Sequence, residues 1–409
     1  MKKQIKIITM LCLVGSIANI KAVKNISKKK TLEAKHGKKS PIVKKIKSKD
    51  QFGKISWLSK TKIITNTPKK VQIFSLNGKD ITPKGFNKLH KLKGNQIQYC
   101  IPSPKGDKIA IINYSDSYGP YANFYNKNTF DFLIYDGLSV LWHPDNESFL
   151  VTEGREKFFA YKYPKNTIKK NSKHIIDERY KKISENRYFK GIFKRISGLE
   201  KFKKFSKNAK YLLAINPHLS FNPKKMFSDS AAIIEAETGK VIIYREADAE
   251  RPGLGHGTKI TFIDNKSIAY KIFQKPYLII RDFKNNKRLK TIKLNNCVTC
   301  IDVSSDGKYI AAAYGKKIDI IDVKSGNILH TLIGHTGAGQ ILQVKFSKNG
   351  EYIASRTFNI EQAKQKIEQT KQNRNADVGS EIIIWENPAY KKSLRQKDFE
   401  NRINYILDI

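Results

Sequence analysis

The chain has 409 residues, 40% of them hydrophobic and 11% aromatic, and a formal charge of +42 from 78 Lys and Arg against 36 Asp and Glu. That length and apolar content can bury a large core, in one big domain or two smaller ones, and they exclude a wholly disordered protein. The charge would suit a nucleic acid or an acidic membrane, but no recognition motif accompanies it; Lys, Asn and Ile are abundant together even inside apparent strands, which points to codon bias instead.

Residues 1–22 begin with Lys2, Lys3 and Lys6, continue as an apolar run from Ile7 to Val14, and then offer Gly15, Ser16 and Ala18. That order reads as a signal peptide cut after Ala18 or Ala22, and it predicts an exported protein, periplasmic or secreted. The run is too short for a membrane helix and no later segment is long enough, so no transmembrane segment is expected. Residues 23–50 read as a basic disordered linker: from Lys21 to Asp50, 12 Lys face only Glu33 and Asp50, without apolar periodicity.

From residue 51 to 409 the chain is a succession of short runs such as "VQIFSL", "KIAIINY", "VIIYREA" and "EIIIWEN", separated by Asn, Asp, Gly and Pro. Such runs predict an all-β architecture. A phrase recurs within them: "SSDGKYIA" starts at Ser304 and "SKNGEYIA" at Ser347, with weaker copies at Ser103, His143 and Ser206 and degenerate ones at Trp57 and Phe262. The successive intervals are 46, 40, 63, 56, 42 and 43 residues. Seven units fit, with insertions near 165–195, 216–229 and 359–380. In each unit an apolar strand enters a Ser/Asn/Asp/Gly turn, whose residues bond their own backbone and tolerate positive φ. A second strand, a third ending in an acidic residue, and an outer strand follow, so the unit is four antiparallel strands.

"LIGHTGAGQILQVKFSKNGEYIAS" followed by "IIIWEN" resembles a WD40 repeat, and Val298–Gly334 resembles it nearly as well, with Ile321-Asp322 in place of Trp-Asp. The remaining units are WD40-like mainly in spacing, and also resemble the looser repeats of TolB-type proteins. The resemblance implies a β-propeller of seven blades of four antiparallel strands, with six or eight as the alternatives. It further implies that His335, Ser355 and Trp385 form a buried structural hydrogen-bonded network; Asp377 is the nearest candidate for the acid that completes it. Closure of the ring by a strand from one chain end would use either "RINYILDI" (402–409) or "PIVKKIK" (41–47).

Loops after second strands emerge on one face of a propeller, and three of them are enlarged here. That looped face is the expected binding site for a protein or peptide partner. Tyr118, Tyr121, Phe124 and Tyr125 are candidate partner contacts, with packing against the blade, Tyr121–Tyr125 as a third strand, as the alternative. Residues 165–194 read as a basic amphipathic helix. No catalytic, cofactor-binding or metal-ligating residues are assigned, because no nucleophile elbow, zincin, P-loop or calcium-loop pattern is present. Cys297 and Cys300 have C-x-x-C spacing on an apparent strand and read as core packing. The expectation is therefore an exported, monomeric, non-enzymatic scaffold, against two competing readings: an exported propeller hydrolase or lyase with a channel-mouth site, and a polyanion-binding protein.

Overall fold

The computed structural model describes residues 41–48, 52–84, 96–115, 119–126, 129–135, 137–153, 157–162, 202–216, 230–236, 238, 240–245, 260–271, 275–336, 339–358, 380–390 and 393. Each apolar run in this set becomes a short strand. The first, β1 (Ile42–Ser48), stands apart in sequence from the sheet it joins. After it come β2 (Ser56–Trp57), β3 (Lys62–Asn66) and β4 (Val71–Ser75), which form one sheet. The second sheet is β5 (Gln96–Pro102), β6 (Lys108–Ser115), β7 (Gly119–Asn126) and β8 (Thr129–Tyr135); the third is β9 (Gly137–Trp142), β10 (Ser148–Glu153) and β11 (Lys157–Lys162). The fourth is β12 (Phe202–Phe205), β13 (Tyr211–Asn216), β14 (Ser230–Glu235) and β15 (Val241–Arg245). The fifth is β16 (Ile260–Phe262), β17 (Ser267–Lys271), β18 (Tyr277–Asp282) and β19 (Lys287–Lys293), and the sixth is β20 (Cys300–Val303), β21 (Tyr309–Tyr314), β22 (Lys317–Asp322) and β23 (Ile328–Ile333). The last holds β24 (Gln340–Phe346), β25 (Tyr352–Phe358) and β26 (Ser380–Glu386), with β1 paired antiparallel on the far side of β26.

All strand pairs are antiparallel, and among the described residues the first strands of successive sheets touch in cyclic order, β24 returning to β2. The result is a propeller with both faces of its sheets covered. Apolar side chains of β20–β23 pack against β24–β26, those of β5–β7 against β9 and β10, and those of β1, β25 and β26 against β2–β4. Double-sided burial explains why strands such as β21 and β26 are apolar nearly throughout, whereas the outer β19 and β23 are mostly exposed.

The recurring phrase has a recurring geometry. Its fourth residue donates its amide to the first residue's carbonyl at 2.9–3.0 Å: Gly106 to Ser103, Asn146 to His143, Ala209 to Ser206, Gly307 to Ser304 and Gly350 to Ser347. Each donor has φ between 59° and 80°, the region that favours glycine. In all four copies that open on Ser, its Oγ also accepts the amide of the first residue of the next strand, Lys108 at 3.2 Å and Tyr211, Tyr309 and Tyr352 at 2.9 Å. In the two degenerate copies the loop is one residue shorter: Leu58 bonds Lys62 and Ile263 bonds Ser267, four residues on rather than five.

Residues Ile42–Ser48 fall within the segment read as linker, and they form the closing strand offered by "PIVKKIK". Burial of Ile46 and contact of Ile42 with the core give this basic stretch an inner face. "RINYILDI", the proposed helix at 165–194 and the three inserts lie outside the described residues, except Asn216 and Ser380, which belong to strands.

Candidate functional site

The Gly-His dipeptide is where sequence pointed most sharply. Gly334 sits where a Cβ would lie 2.6 Å from Ile42 and 2.8 Å from the Trp385 ring, so no larger residue fits between the closing strand and the indole. Its carbonyl accepts a hydrogen bond from Lys45 Nζ at 2.5 Å, a second tie to β1.

One residue on, His335 joins a continuous chain of hydrogen bonds. Trp385 Nε1–H donates to Ser355 Oγ at 2.8 Å, Ser355 Oγ–H donates to His335 Nε2 at 2.7 Å, and His335 Nδ1–H donates to Glu381 Oε2 at 2.8 Å. The His335 and Trp385 rings meet edge to face at 5.9 Å. Burial lowers the His335 pKa despite the opposing pull of Glu381, which favours the neutral tautomer this chain requires. Burial alone would raise the Glu381 carboxyl; the hydrogen bond from His335, with Lys45 and the Thr336 amide, outweighs it and holds the group below its usual range.

The sequence trio is thus brought together, and the acid is Glu381; Asp377 lies outside the described residues. Glu381 was legible in principle, since strand alternation places Glu381, Ile383 and Trp385 on one face of β26. Ser-His-Glu order superficially matches an acyl-transfer relay. Here Ser355 has no exposed surface, and its oxygen is occupied by the Trp385 donor, so no substrate carbonyl can reach it.

This brace lies at the root of the β25–β26 connection, residues 359–379, where Phe358 pairs with Ser380. Further buried bonds hold that root. Ser380 Oγ accepts the Phe52 amide at 2.8 Å, Arg356 Nη1 donates to the Phe52 carbonyl at 2.6 Å, and Thr357 Oγ1 reaches the Glu381 carbonyl at 3.4 Å. Burial pushes the Arg356 guanidinium down to about 10. Sequence reading passed over Arg356, although a charged residue inside "YIASRTF" is itself a signal.

The aromatic candidates are corrected. Tyr121, Phe124 and Tyr125 are 4%, 0% and 0% exposed on β7, and Phe124 packs on Phe149 with ring centroids 4.6 Å apart. As the third strand of its sheet, β7 is flanked by β6 and β8 and covered by the neighbouring sheet, so these rings are core; Tyr118 lies outside the described residues. Cys300 is buried, as its core reading requires, but Cys297 is exposed in the turn before β20, and neither forms a disulfide. His143 occupies the opening position of its turn and takes the Asp145 carboxylate at 2.9 Å. No group of three His, Cys, Asp or Glu able to hold a metal ion occurs among the described residues, and no described helix is long and apolar enough to cross a membrane.

An antiparallel propeller closed by a strand from near its N-terminus, with a Gly-His brace in the closing sheet, defines the structural class. The WD40 family (WD domain, G-beta repeat) matches residues 286–322 and 326–356. The first segment runs from β19 through β22; the second takes β23, β24 and most of β25, and stops just before the 359–379 connection. A search of curated proteins finds no relative of the chain. Among solved structures, the C-terminal WD40 domain of Sif2 is similar in fold, with a TM-score of 0.51 at 12% identity over 84% of this chain and 98% of that one. The protein is a WD40-like β-propeller.

Proposed function

We propose that this propeller is a non-enzymatic protein-interaction scaffold that engages a protein or peptide partner through the face bearing its long second-to-third-strand connections. The observation that carries this reading is the anchoring of the β25–β26 connection. Both of its roots are tied by buried polar bonds, through Ser380 and Arg356 to Phe52 and through Glu381 to His335. Buried polar groups are expensive unless satisfied, and such a network specifies one geometry. A stem held in this way presents the segment it bears without spending its binding energy on ordering the base. The corresponding connection in the preceding sheet is only Gly315 and Lys316.

Strands alternate in direction, so the ends of β13 and β14 that residues 217–229 connect lie on the same face. Export is part of this reading and rests on the order of charge, apolar run and small residues in 1–22.

The test replaces residues 360–379 with a short Gly-Ser link and compares captured partners with those of the full-length protein, using the melting temperature to confirm that the fold persists. Loss of a reproducible partner from a folded variant supports the proposal. Identical partner sets overturn the role of this segment.

A further inference from the structure

Register relates the inner strands of all seven described sheets. The amides of Leu58, Ser103, His143, Ser206, Ile263, Ser304 and Ser347 each open the turn after the first strand of their sheet. Two residues before each of these lie Ser56, Ile101, Leu141, Lys204, Thr261, Asp302 and Lys345, which therefore share one layer of the ring. Four consecutive sheets contribute Lys204, Thr261, Asp302 and Lys345 to that layer, so its polar side is continuous.

The charges in this layer do not balance. Asp302 spends both oxygens on the last sheet, Oδ1 on Lys345 Nζ at 3.0 Å and Oδ2 on the Phe346 amide at 2.9 Å. Lys204 is left with one hydrogen bond, to Thr261 Oγ1 at 3.4 Å, and no carboxylate within ion-pair distance among the described residues. Its side chain is exposed, yet burial among the inner strands is the main cause that lowers its proton affinity, Lys345 adding to this and Asp302 opposing it. Lys204 lies on β12, the inner edge strand of its sheet, and the first strands of the seven sheets meet in a ring, so its side chain faces the space they enclose. With Lys345 already paired, one positive charge stands without its counter-charge.

We propose that the Lys204–Thr261 corner of the central channel binds a small oxyanion, a phosphate or a carboxylate, with the Lys204 ammonium and the Thr261 hydroxyl donating to it. Asp302 holds Lys345 aside and keeps the layer from being closed by an internal salt bridge to Lys204. Ile101 and Leu141 are the apolar members of the layer, so an anion is stabilised on its polar side, where Lys204 brings the charge that Asp302 leaves unpaired.

The experiment uses the full chain and two probes, inorganic phosphate and acetate, each titrated at constant ionic strength against chloride. Melting temperature is one readout; the other is NMR of lysines reductively methylated with a 13C label, in which the Lys204 resonance is assigned by its loss in Lys204→Arg. Phosphate should raise the melting temperature saturably, and the Lys204 resonance should move along the same curve. Lys204→Met should lose about tenfold or more in apparent affinity, Thr261→Val about fivefold, and Lys62→Met, an exposed control on β3, nothing. Saturation by phosphate alone assigns a phosphate site; saturation by both probes assigns a general oxyanion site. An equal thermal shift in Lys204→Met and the unmutated protein overturns the proposal. So does a Lys204 resonance that neither probe moves saturably, a measurement that stands even if Lys204→Met fails to fold.

Discussion

The sheets β20–β23 and β24–β26 are consecutive copies of one repeat, yet their interiors are built in different ways. At equal distances from the turn, Ser355 of one sheet corresponds to Ala312 of the other, and Trp385 corresponds to Ile321. In β24–β26 these positions belong to the four-residue hydrogen-bonded brace. In β20–β23 they are apolar and fully buried, and the polar group is Asp319, which accepts bonds from Tyr314 Oη at 3.1 Å and Thr331 Oγ1 at 2.6 Å. The apolar sheet is continuous in sequence and has a two-residue connection between its second and third strands. The braced sheet is assembled from both ends of the described chain and is interrupted by residues 359–379. A polar brace is used where local connectivity is weakest, because directional bonds specify a geometry that apolar contacts alone leave adaptable.

Removing residues 1–48 should break this arrangement most severely. It deletes β1, exposes the edge of β26 and uncovers Trp385 beside Gly334, and the melting temperature measured by circular dichroism should fall by more than about 10 °C. A fall no larger than that of a surface substitution would refute closure by β1. Next in size, Trp385→Ala should cost about 3–5 kcal/mol in denaturant unfolding, and Ile321→Ala about 2–5 kcal/mol. The sharper comparison is a triple change, His335→Leu with Ser355→Ala and Trp385→Ile, which copies the apolar solution into the braced sheet. If the brace serves geometry more than stability, this variant with Glu381→Leu added, so that no carboxylate is left buried without its partner, should be no less stable than Trp385→Ala.

His335→Leu alone should cost about 3 kcal/mol, since it leaves the Glu381 carboxylate and the Ser355 hydroxyl buried without their partner. It should also change the pH dependence. The His335 pKa is lowered from 6.5 in the fold, so below that pH the unfolded chain takes up a proton that the fold resists, and stability falls as pH falls. Glu381 is lowered from 4.5 and contributes in the same direction, its stabilisation being lost as pH drops through its folded value. Unfolding curves from pH 7 to pH 4 should therefore show a shallower acid limb in the variant; parallel limbs would exclude the brace as their source.

How much of this could be read from the chain depended on whether a residue's role was local. The turn residues were legible because Ser304, Gly307, Ser347 and Gly350 satisfy their own backbone within a few positions. His335, Ser355 and Trp385 were legible through resemblance to a repeat. Glu381 was missed because the long connection removes the tight turn from which that acid was sought. Tyr121, Phe124 and Tyr125 were misplaced because aromatic side chains read alike at an interface and in a core, and only the packing of a neighbouring sheet decides between them. The Lys204–Lys345 layer depends on register across sheets, which the degenerate copies obscure by shortening their turns by one residue.

The smallest expected effects test whether the turn geometry is as uniform as its hydrogen bonds. A Cβ on Gly106 would fall 1.7 Å from the Leu58 carbonyl oxygen at φ +80°, whereas Gly315, at φ +51°, has nothing within 4 Å of the added atom. Gly106→Ala should therefore cost more than the roughly 1–2 kcal/mol of left-handed backbone strain alone, and Gly315→Ala no more than that. The fourth sheet already contains the reverse case: Ala209 occupies at φ 59° the position held by glycine in three other turns. Ala209→Gly relieves that strain and gives back part of the gain, about 0.4–1 kcal/mol, through the greater freedom of the unfolded chain. The net result should be a stabilisation of about 0.5 kcal/mol, detectable as a rise in the denaturant midpoint at constant slope. A lowered midpoint would mean that the Ala209 methyl makes contacts worth more than the strain it imposes, and that the turn of the fourth sheet is an adapted variant of the repeat.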